Sequence, residues 1–193
     1  MKLALLRHGP TEWNEQRRIQ GHTDIPLSEE GLRKMRGLRV PFSASRIFAS
    51  PMQRTQQTAE ALGLAAPILD ARLMEQNWGR WEGMSLQAIT EQEGKDAFLR
   101  AGRKGDFRPP GGESTQELLD RVSEFLRDAA KEAGDAVAIV HLGVLRAAYT
   151  LATGWNMATP MPADLYVSKI LVLELDASGK PGIHTLNLDF VAA

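Results

Sequence analysis

Hydrophobic and polar positions along this chain fall into two kinds of pattern. Leu3 to Leu6 and Ala136 to Val140 are apolar at every position, and Arg46-Ile47-Phe48-Ala49 is nearly so. Short continuous runs, unlike alternating ones, suit strands buried on both faces of a parallel sheet. They end at Arg7-His8-Gly9, at His141-Leu142-Gly143 and at Ser50-Pro51. Between them, apolar residues recur at helical spacing. Ser114-Thr115-Gln116-Glu117 carries a capping box, and Leu118, Val122, Phe125, Leu126 and Ala129 form the buried face behind it. Ser50-Pro51-Met52-Gln53 predicts a second helix with Ser50 as N-cap and Pro51 in its first turn. It should run to about Leu62 and close at Gly63. Further helices are expected over 29–39 and 86–93. Late in the chain, 168–175 and 183–188 flank Asp176-Ala177-Ser178-Gly179-Lys180, which predicts a hairpin. Strands alternating with helices and ending in a hairpin predict an α/β fold: a three-layer α/β/α sandwich with a mixed, mostly parallel sheet.

No repeat or linker divides the chain, so 1–193 reads as a single domain, and 193 residues suffice for a substantial core. The stretch 94–112, polar and rich in Gly, Lys, Arg and Pro, is expected to cap a pocket as a specificity-bearing lid. A net charge of -1 offers no bulk basic excess for a nucleic-acid backbone. The first apolar run is too short for a secretory signal, and nothing approaches the roughly 20 apolar residues that span a bilayer. Cysteine is absent, which excludes disulfides, thiolate metal sites and a cysteine nucleophile. The expectation is a cytoplasmic protein without nucleic-acid or membrane partners. The hairpin would leave an edge strand able to pair with a second copy, so a homodimer is compatible with the pattern.

Chemistry concentrates where the buried strands end. His8 and His141 each sit at the carboxyl end of one, the edge of an open α/β sheet where ligands bind. A lone histidine there is more often a satisfied structural residue; two in the same context point to a site if their strands lie side by side. Arg7 precedes His8, and Arg54 falls in the first turn of the helix after Pro51. A guanidinium is a permanently charged planar fork suited to phosphate oxygens. His22 reads as an exposed loop residue, His184 as a structural residue of the hairpin, and Trp78 and Trp81 as core or pocket wall. No short-spaced ligand pair suggests a metal, and no Gly-rich nucleotide loop or Gly-x-Ser-x-Gly elbow occurs.

Arg7-His8-Gly9-Pro10-Thr11-Glu12-Trp13-Asn14 closely resembles the Arg-His-Gly-x-Thr-x-x-Asn signature of the histidine phosphatase superfamily, also called phosphoglycerate mutase-like. Similarity continues in order through Gln20 to Ser28, Ser50 to Ala59, Leu73-Met74-Glu75 with Gly79 to Gly83, Pro110 to Ser114, and Val140 to Arg146. The resemblance implies that His8 is the nucleophile that takes up a phosphoryl group. It implies that Arg7, Arg54 and His141 hold the phosphoryl oxygens, without a metal or other cofactor. Asn14, Gln20, Gly21 and the amide of Leu142 would be further donors to the substrate. By the same likeness Glu75 would be the proton donor, with Glu82 as its competitor. His8 would have to be neutral to attack, with His141 better charged.

The implied reaction is hydrolysis of a phosphomonoester through phosphohistidine, on a small phosphorylated metabolite such as a sugar phosphate, phosphoglycerate or α-ribazole phosphate. Cofactor-dependent phosphoglycerate mutases share the first motif but carry Glu-Arg-His-Tyr-Gly where this chain has Glu75-Gln76-Asn77-Trp78-Gly79. The likeness is therefore to the smaller phosphatase branch. A mutase, or a non-catalytic domain binding phosphorylated ligands, remains the alternative. Two departures from the pattern bear on specificity. Pro10 has no N–H to offer, and Leu142 replaces a small residue beside the second histidine.

Overall fold

The computed structural model describes residues 1–98, 107–157 and 159–193. Strand β1 (Lys2–Arg7) leads through a single helical turn, α1 (Glu12–Glu15), to α2 (Glu29–Arg36), β2 (Leu38–Arg39), β3 (Arg46–Ala49), α3 (Gln53–Ala61) and β4 (Ile68–Leu69). Two 3₁₀ turns, Ala71–Leu73 and Gly79–Trp81, precede α4 (Leu86–Glu93). Then follow α5 (Thr115–Ala129), β5 (Ala136–Val140), α6 (Leu142–Thr153), β6 (Ile170–Leu175), β7 (Pro181–Leu188) and β8 (Val191–Ala192).

Six strands form one sheet in the order β4-β3-β5-β1-β6-β7. The first four run parallel, while β6 is antiparallel to β1 and β7 to β6, so the mixed sheet has the expected hairpin at one edge. Alternate side chains of the central strands serve two cores. Leu3, Leu5, Ala136, Ala138 and Val140 pack with Phe125, Leu126 and Leu145 from α5 and α6. Ala4, Leu6, Val137 and Ile139 pack with Met35, Ala59 and Leu62 around α2 and α3. Both faces are covered, which is why these strands read as unbroken apolar runs. Truncating Ile139 to Ala, fully buried here, would cost about 2–5 kcal/mol.

The capping box at Ser114 forms as expected, with reciprocal bonds to Glu117. The helix after Ser50 differs from expectation. It starts at Gln53 with Met52 as N-cap, because Ser50 N–H donates to the Ile139 carbonyl (3.2 Å) and Thr55 Oγ1 donates to the Ser50 carbonyl (2.7 Å). Ser50 is thus tied to the sheet edge, and its Oγ accepts from the Met52 amide (3.4 Å), ahead of the helix and not within its first turn. The helix expected over 29–39 ends at Arg36, since Leu38 and Arg39 pair with Val191 and Ala192 at the other end of the chain. Helix α6 has apolar side chains around most of its circumference, so no amphipathic stripe announces it.

Of the stretch 94–112 expected as a lid, 99–106 lie outside the described residues. Its flanks are anchored. Phe98 lies 4.8 Å from Trp81 and Phe107 lies 5.4 Å from Trp78, ring centre to ring centre, over a small third core around Trp81 and Ile89. Among the described residues no helix is long and apolar enough to cross a membrane.

Candidate active site

Register places the two histidines. Arg7 of β1 pairs with Val140 of the adjacent parallel β5, so the next residues, His8 and His141, leave the sheet side by side. Their ring centres are 5.1 Å apart with planes inclined at 58°. Both are buried, His141 completely.

Hydrogen bonds assign the tautomers. His8 Nδ1 lies 2.7 Å from the Gly9 carbonyl, which can only accept, so Nδ1 carries the hydrogen and Nε2 of the neutral ring holds a lone pair. Arg54 Nε–H donates to His141 Nδ1 at 3.2 Å, so that nitrogen must accept and Nε2 carries the hydrogen. His141 Nε2 is buried without a partner. Burial, reinforced by Arg7 and Arg54, holds His8 well below the usual imidazole range. Burial likewise depresses His141, helped by His8, Arg54 and Arg7. Against the expectation of a charged His141, a ring that accepts from a guanidinium in a dry, cationic setting is pushed toward the neutral form, with one N–H to offer.

Arg54 lies beside His141, bonded to its Nδ1. Fully buried, it also donates to the carbonyls of Gly21 (2.9 Å) and Thr23 (3.2 Å), so three of its five N–H groups hold His141 and the 20–23 loop and two are left for a ligand. Arg7 faces the cleft with its buried Nε unpartnered. Gln20, also buried, has both side-chain polar atoms unpartnered. The Asn14 Oδ1 accepts from the Thr11 amide and hydroxyl, both at 3.1 Å, which leaves its NH₂ end for the cleft it lines. Leu142 lines the same wall and is the first residue of α6, where a backbone N–H has no intrahelical acceptor.

Glu75, 7% exposed, faces the same cleft, a cavity of about 180 Å³ that also contains His8, Arg7 and Gln20. Its Oε1 accepts from the amides of Gln76 (2.8 Å) and Gly143 (2.9 Å). Burial nevertheless raises its pKa, against the pull of those amides, Arg7 and Arg54. Glu82 is different. It accepts from the His22 amide (2.8 Å), the Trp78 amide (3.1 Å), and the Thr23 amide and hydroxyl (2.7 and 2.6 Å). Its partial burial is outweighed by these bonds, which hold it below the usual carboxylate range and make it the clamp of the 20–24 loop.

Three contributors escaped the sequence pattern. His22 is exposed as expected, yet its Nε2 bonds the Glu75 carbonyl at 2.9 Å. Arg121 of α5 donates to that carbonyl at 3.1 Å and forms a two-point ion pair with Glu113 (2.6 and 2.9 Å). Arg146 lines the cleft one helical turn beyond Leu142, and that spacing was the available signal. His184 is exposed beside Thr185 and distant from this chemistry. Trp81 is core and Trp78 is cleft wall. Pro10 gives its carbonyl to the Ser28 amide (3.0 Å), and its ring lines a second lobe of about 210 Å³ with Met35, Leu38 and Phe190.

Known proteins resemble this chain to differing extents. Probable phosphoglycerate mutase GpmB of Escherichia coli is 37% identical over 134 residues, covering 65% of this chain and 61% of that protein. The chain thus spans under two thirds of the length of that curated relative. The crystal structure of TTHB049 from Thermus thermophilus is 31% identical, covers 98% of this chain and 99% of its own, and superposes with a TM-score of 0.73. Mycobacterial glucosyl-3-phosphoglycerate phosphatase Rv2419c, at 24% identity over 97% and 99% of the two chains, has a TM-score of 0.80 and shares the fold. The sequence model described as histidine phosphatase superfamily (branch 1) matches residues 3–189. A match running almost end to end, on a sheet that brings two strand-end histidines together, makes this chain a member of the histidine phosphatase superfamily.

Proposed function

We propose that the protein is a metal-independent phosphomonoester hydrolase that works through a phosphohistidine on His8. The observation that carries this reading is the facing histidine pair with opposite tautomers: a lone pair on His8 Nε2 and an unpartnered N–H on His141. One ring can attack phosphorus while the other donates to an oxygen of the group in flight.

In the first step His8 Nε2 forms a bond to phosphorus as the ester P–O bond breaks. The departing alkoxide takes the proton from Glu75, whose raised pKa keeps the acid form available toward neutral pH. In the second step Glu75, now a carboxylate, takes a proton from water as it attacks phosphorus, and the P–N bond breaks to release inorganic phosphate. Charge on the phosphoryl oxygens is met by Arg7 and the His141 N–H, with Arg54 acting through His141 and as a nearby positive charge. Asn14, Gln20 and the Leu142 amide supply further donors. Each needs only positioning, since phosphoryl transfer asks for little else from the protein.

The natural substrate in this reading is a small phosphorylated metabolite. A mutase reading has its own support, the name carried by the E. coli relative. It requires return of the phosphoryl group from His8 to a second hydroxyl before water arrives. Self-association through the edge strand β7 is compatible with either reading.

The test is turnover of p-nitrophenyl phosphate by purified protein with and without excess EDTA. Unchanged turnover in EDTA, its loss in His8→Ala, and an acid-labile phosphorylated protein in quenched reactions are expected. No turnover of any phosphomonoester would instead favour a binding domain. Phosphoglycerate isomerisation that depends on a bisphosphate primer would favour the mutase.

A further inference from the structure

The lobe on the Pro10 side of His8 meets the Glu75 cleft but is built differently. The two share Arg7, His8 and Asn14, while Glu75 lines only the cleft. An ester whose departing oxygen lies beside Glu75 therefore extends into the cleft and has no use for the lobe.

Close packing makes the lobe's floor. A Cβ on Gly9 would fall 2.6 Å from Met35 Cγ, and one on Gly31 would run into the Pro10 carbonyl. Helix α2 thus presses against the loop after His8 and carries Met35 up beside it. The pairing of β2 with β8 brings Leu38 and the segment carrying Phe190 together from distant parts of the chain. Val167, from the segment before β6, completes an apolar wall. Phosphoryl chemistry asks for donors and charge, and this wall offers neither.

Charge around the lobe is positive. Arg7 stands on its buried side, with an Nε that has no hydrogen-bond partner. Such a donor carries a desolvation cost that a ligand's counter-charge would relieve. Lys34 and Lys169 line the lobe as well. Asp189 pairs with Lys169, whereas Lys34 is exposed and has no ion pair among the described residues. A cavity of about 150 Å³ accepts benzene, so about 210 Å³ accommodates one aromatic ring or a chain of about six carbons.

We propose that this lobe binds the apolar body of a small organic carboxylate, alkyl or aryl, whose carboxylate group lies on Arg7. The planar fork of a guanidinium matches that head group. Because Arg7 and His8 belong to both cavities, the bound carboxylate excludes a phosphoryl group and acts as a competitive inhibitor. The inference goes beyond the phosphatase reading and does not require His8 to react.

The test is calorimetric titration of the full chain with acetate, hexanoate and hexanol at constant ionic strength. Each buried methylene is worth about fourfold in affinity, so hexanoate should bind at least roughly tenfold tighter than acetate. Hexanol has the same chain without the charge, and it should bind at least roughly tenfold more weakly than hexanoate. Inorganic phosphate, at a concentration that saturates its own isotherm, should displace hexanoate. Val167→Trp fills the lobe and should bring hexanoate down to the level of acetate. The wild-type measurements decide the matter even if that variant fails to fold. Equal affinities for acetate and hexanoate would overturn the proposal, as would hexanol binding as well as hexanoate. So would a hexanoate isotherm untouched by phosphate, or a chain-length preference that folded Val167→Trp leaves intact. A protein inactive on every phosphomonoester that still showed the expected pattern would sink the phosphatase reading and spare the carboxylate site.

Discussion

At His8, His141 and Glu75 one cause, removal from water, disfavours the charged form: it lowers the two imidazoles and raises the carboxyl. At His8 this favours a lone pair, at His141 a donor N–H, and in the proposed reaction it favours a proton on Glu75 to give. Glu75→Gln keeps the shape and the amide bonds at Oε1 but removes that proton. It should cost about 10²–10⁴-fold in kcat on an alkyl phosphate, where the leaving alkoxide needs protonation, and far less on p-nitrophenyl phosphate, whose anion leaves unaided. Steady-state rates on the two esters check this, and equal losses on both would remove Glu75 from the role of acid. For the wild type, turnover of the alkyl ester should fall as pH rises through the raised pKa of Glu75. The acid side should stay open well below the ordinary histidine range, because His8 remains unprotonated there. Gly143 belongs to the same account. A Cβ on it would run into the Glu75 carboxylate, so the backbone approaches the acid as closely as it does only because no side chain intervenes.

Elements, and not only residues, aim the acid. Glu75 lies between the two 3₁₀ turns, where backbone bonds alone hold little, and it is fixed from three sides: His22 from the 20–24 loop, Arg121 from α5 and Gly143 from α6. Arg121 also donates to the Arg72 carbonyl at 2.6 Å, tying the first 3₁₀ turn to α5. It is a positioning residue, since it touches the backbone of Glu75 and not its carboxyl group. Arg121→Met should lower kcat on an alkyl phosphate by about tenfold and displace the alkaline limb of the pH profile, with partial rescue in Arg121→Lys. A loss of thermal stability with an unshifted pH profile would show that Arg121 holds only the fold. Stability should fall too, since Glu113, 14% exposed, would be left without its partner.

For the whole molecule, buried neutral groups couple folding to pH. A histidine whose folded pKa lies below its unfolded value binds fewer protons in the native state, so stability is complete above the unfolded value near 6.5 and declines as pH falls below it. Glu75 acts in the opposite sense, because its folded pKa is raised and its burden on folding is relieved as pH falls through that value. Two rings against one carboxyl leave a net loss. Urea unfolding followed by tryptophan fluorescence should give a stability about 1–3 kcal/mol lower at pH 5.5 than at pH 7.5. His141→Gln should flatten that slope, and a wild type equally stable at both pH values would contradict the neutral pair.

Much of this was written locally. Leu3 to Leu6 and Ala136 to Val140 became strands because an unbroken apolar run has no polar side to show to water. The Ser114 capping box formed because its partners lie three residues apart. His8, His141, Arg7 and Glu75 could be named because their neighbours in sequence carry a family's motif. What lay beyond reach depends on contacts between distant segments. The helix after Arg36 stops because the last residues of the chain take Leu38 and Arg39 into a strand pair. Arg54 bonds to His141, Glu82 becomes a clamp instead of an acid, and Arg121 reaches Glu75 from a helix whose pattern speaks only for its buried face. Periodicity tells which side of an element is hidden; it carries no record of what that side meets. The register of β1 against β5 and the packing of α5 and α6 over them decided which rings and guanidinium groups share one dry cleft, and that sharing sets their charge.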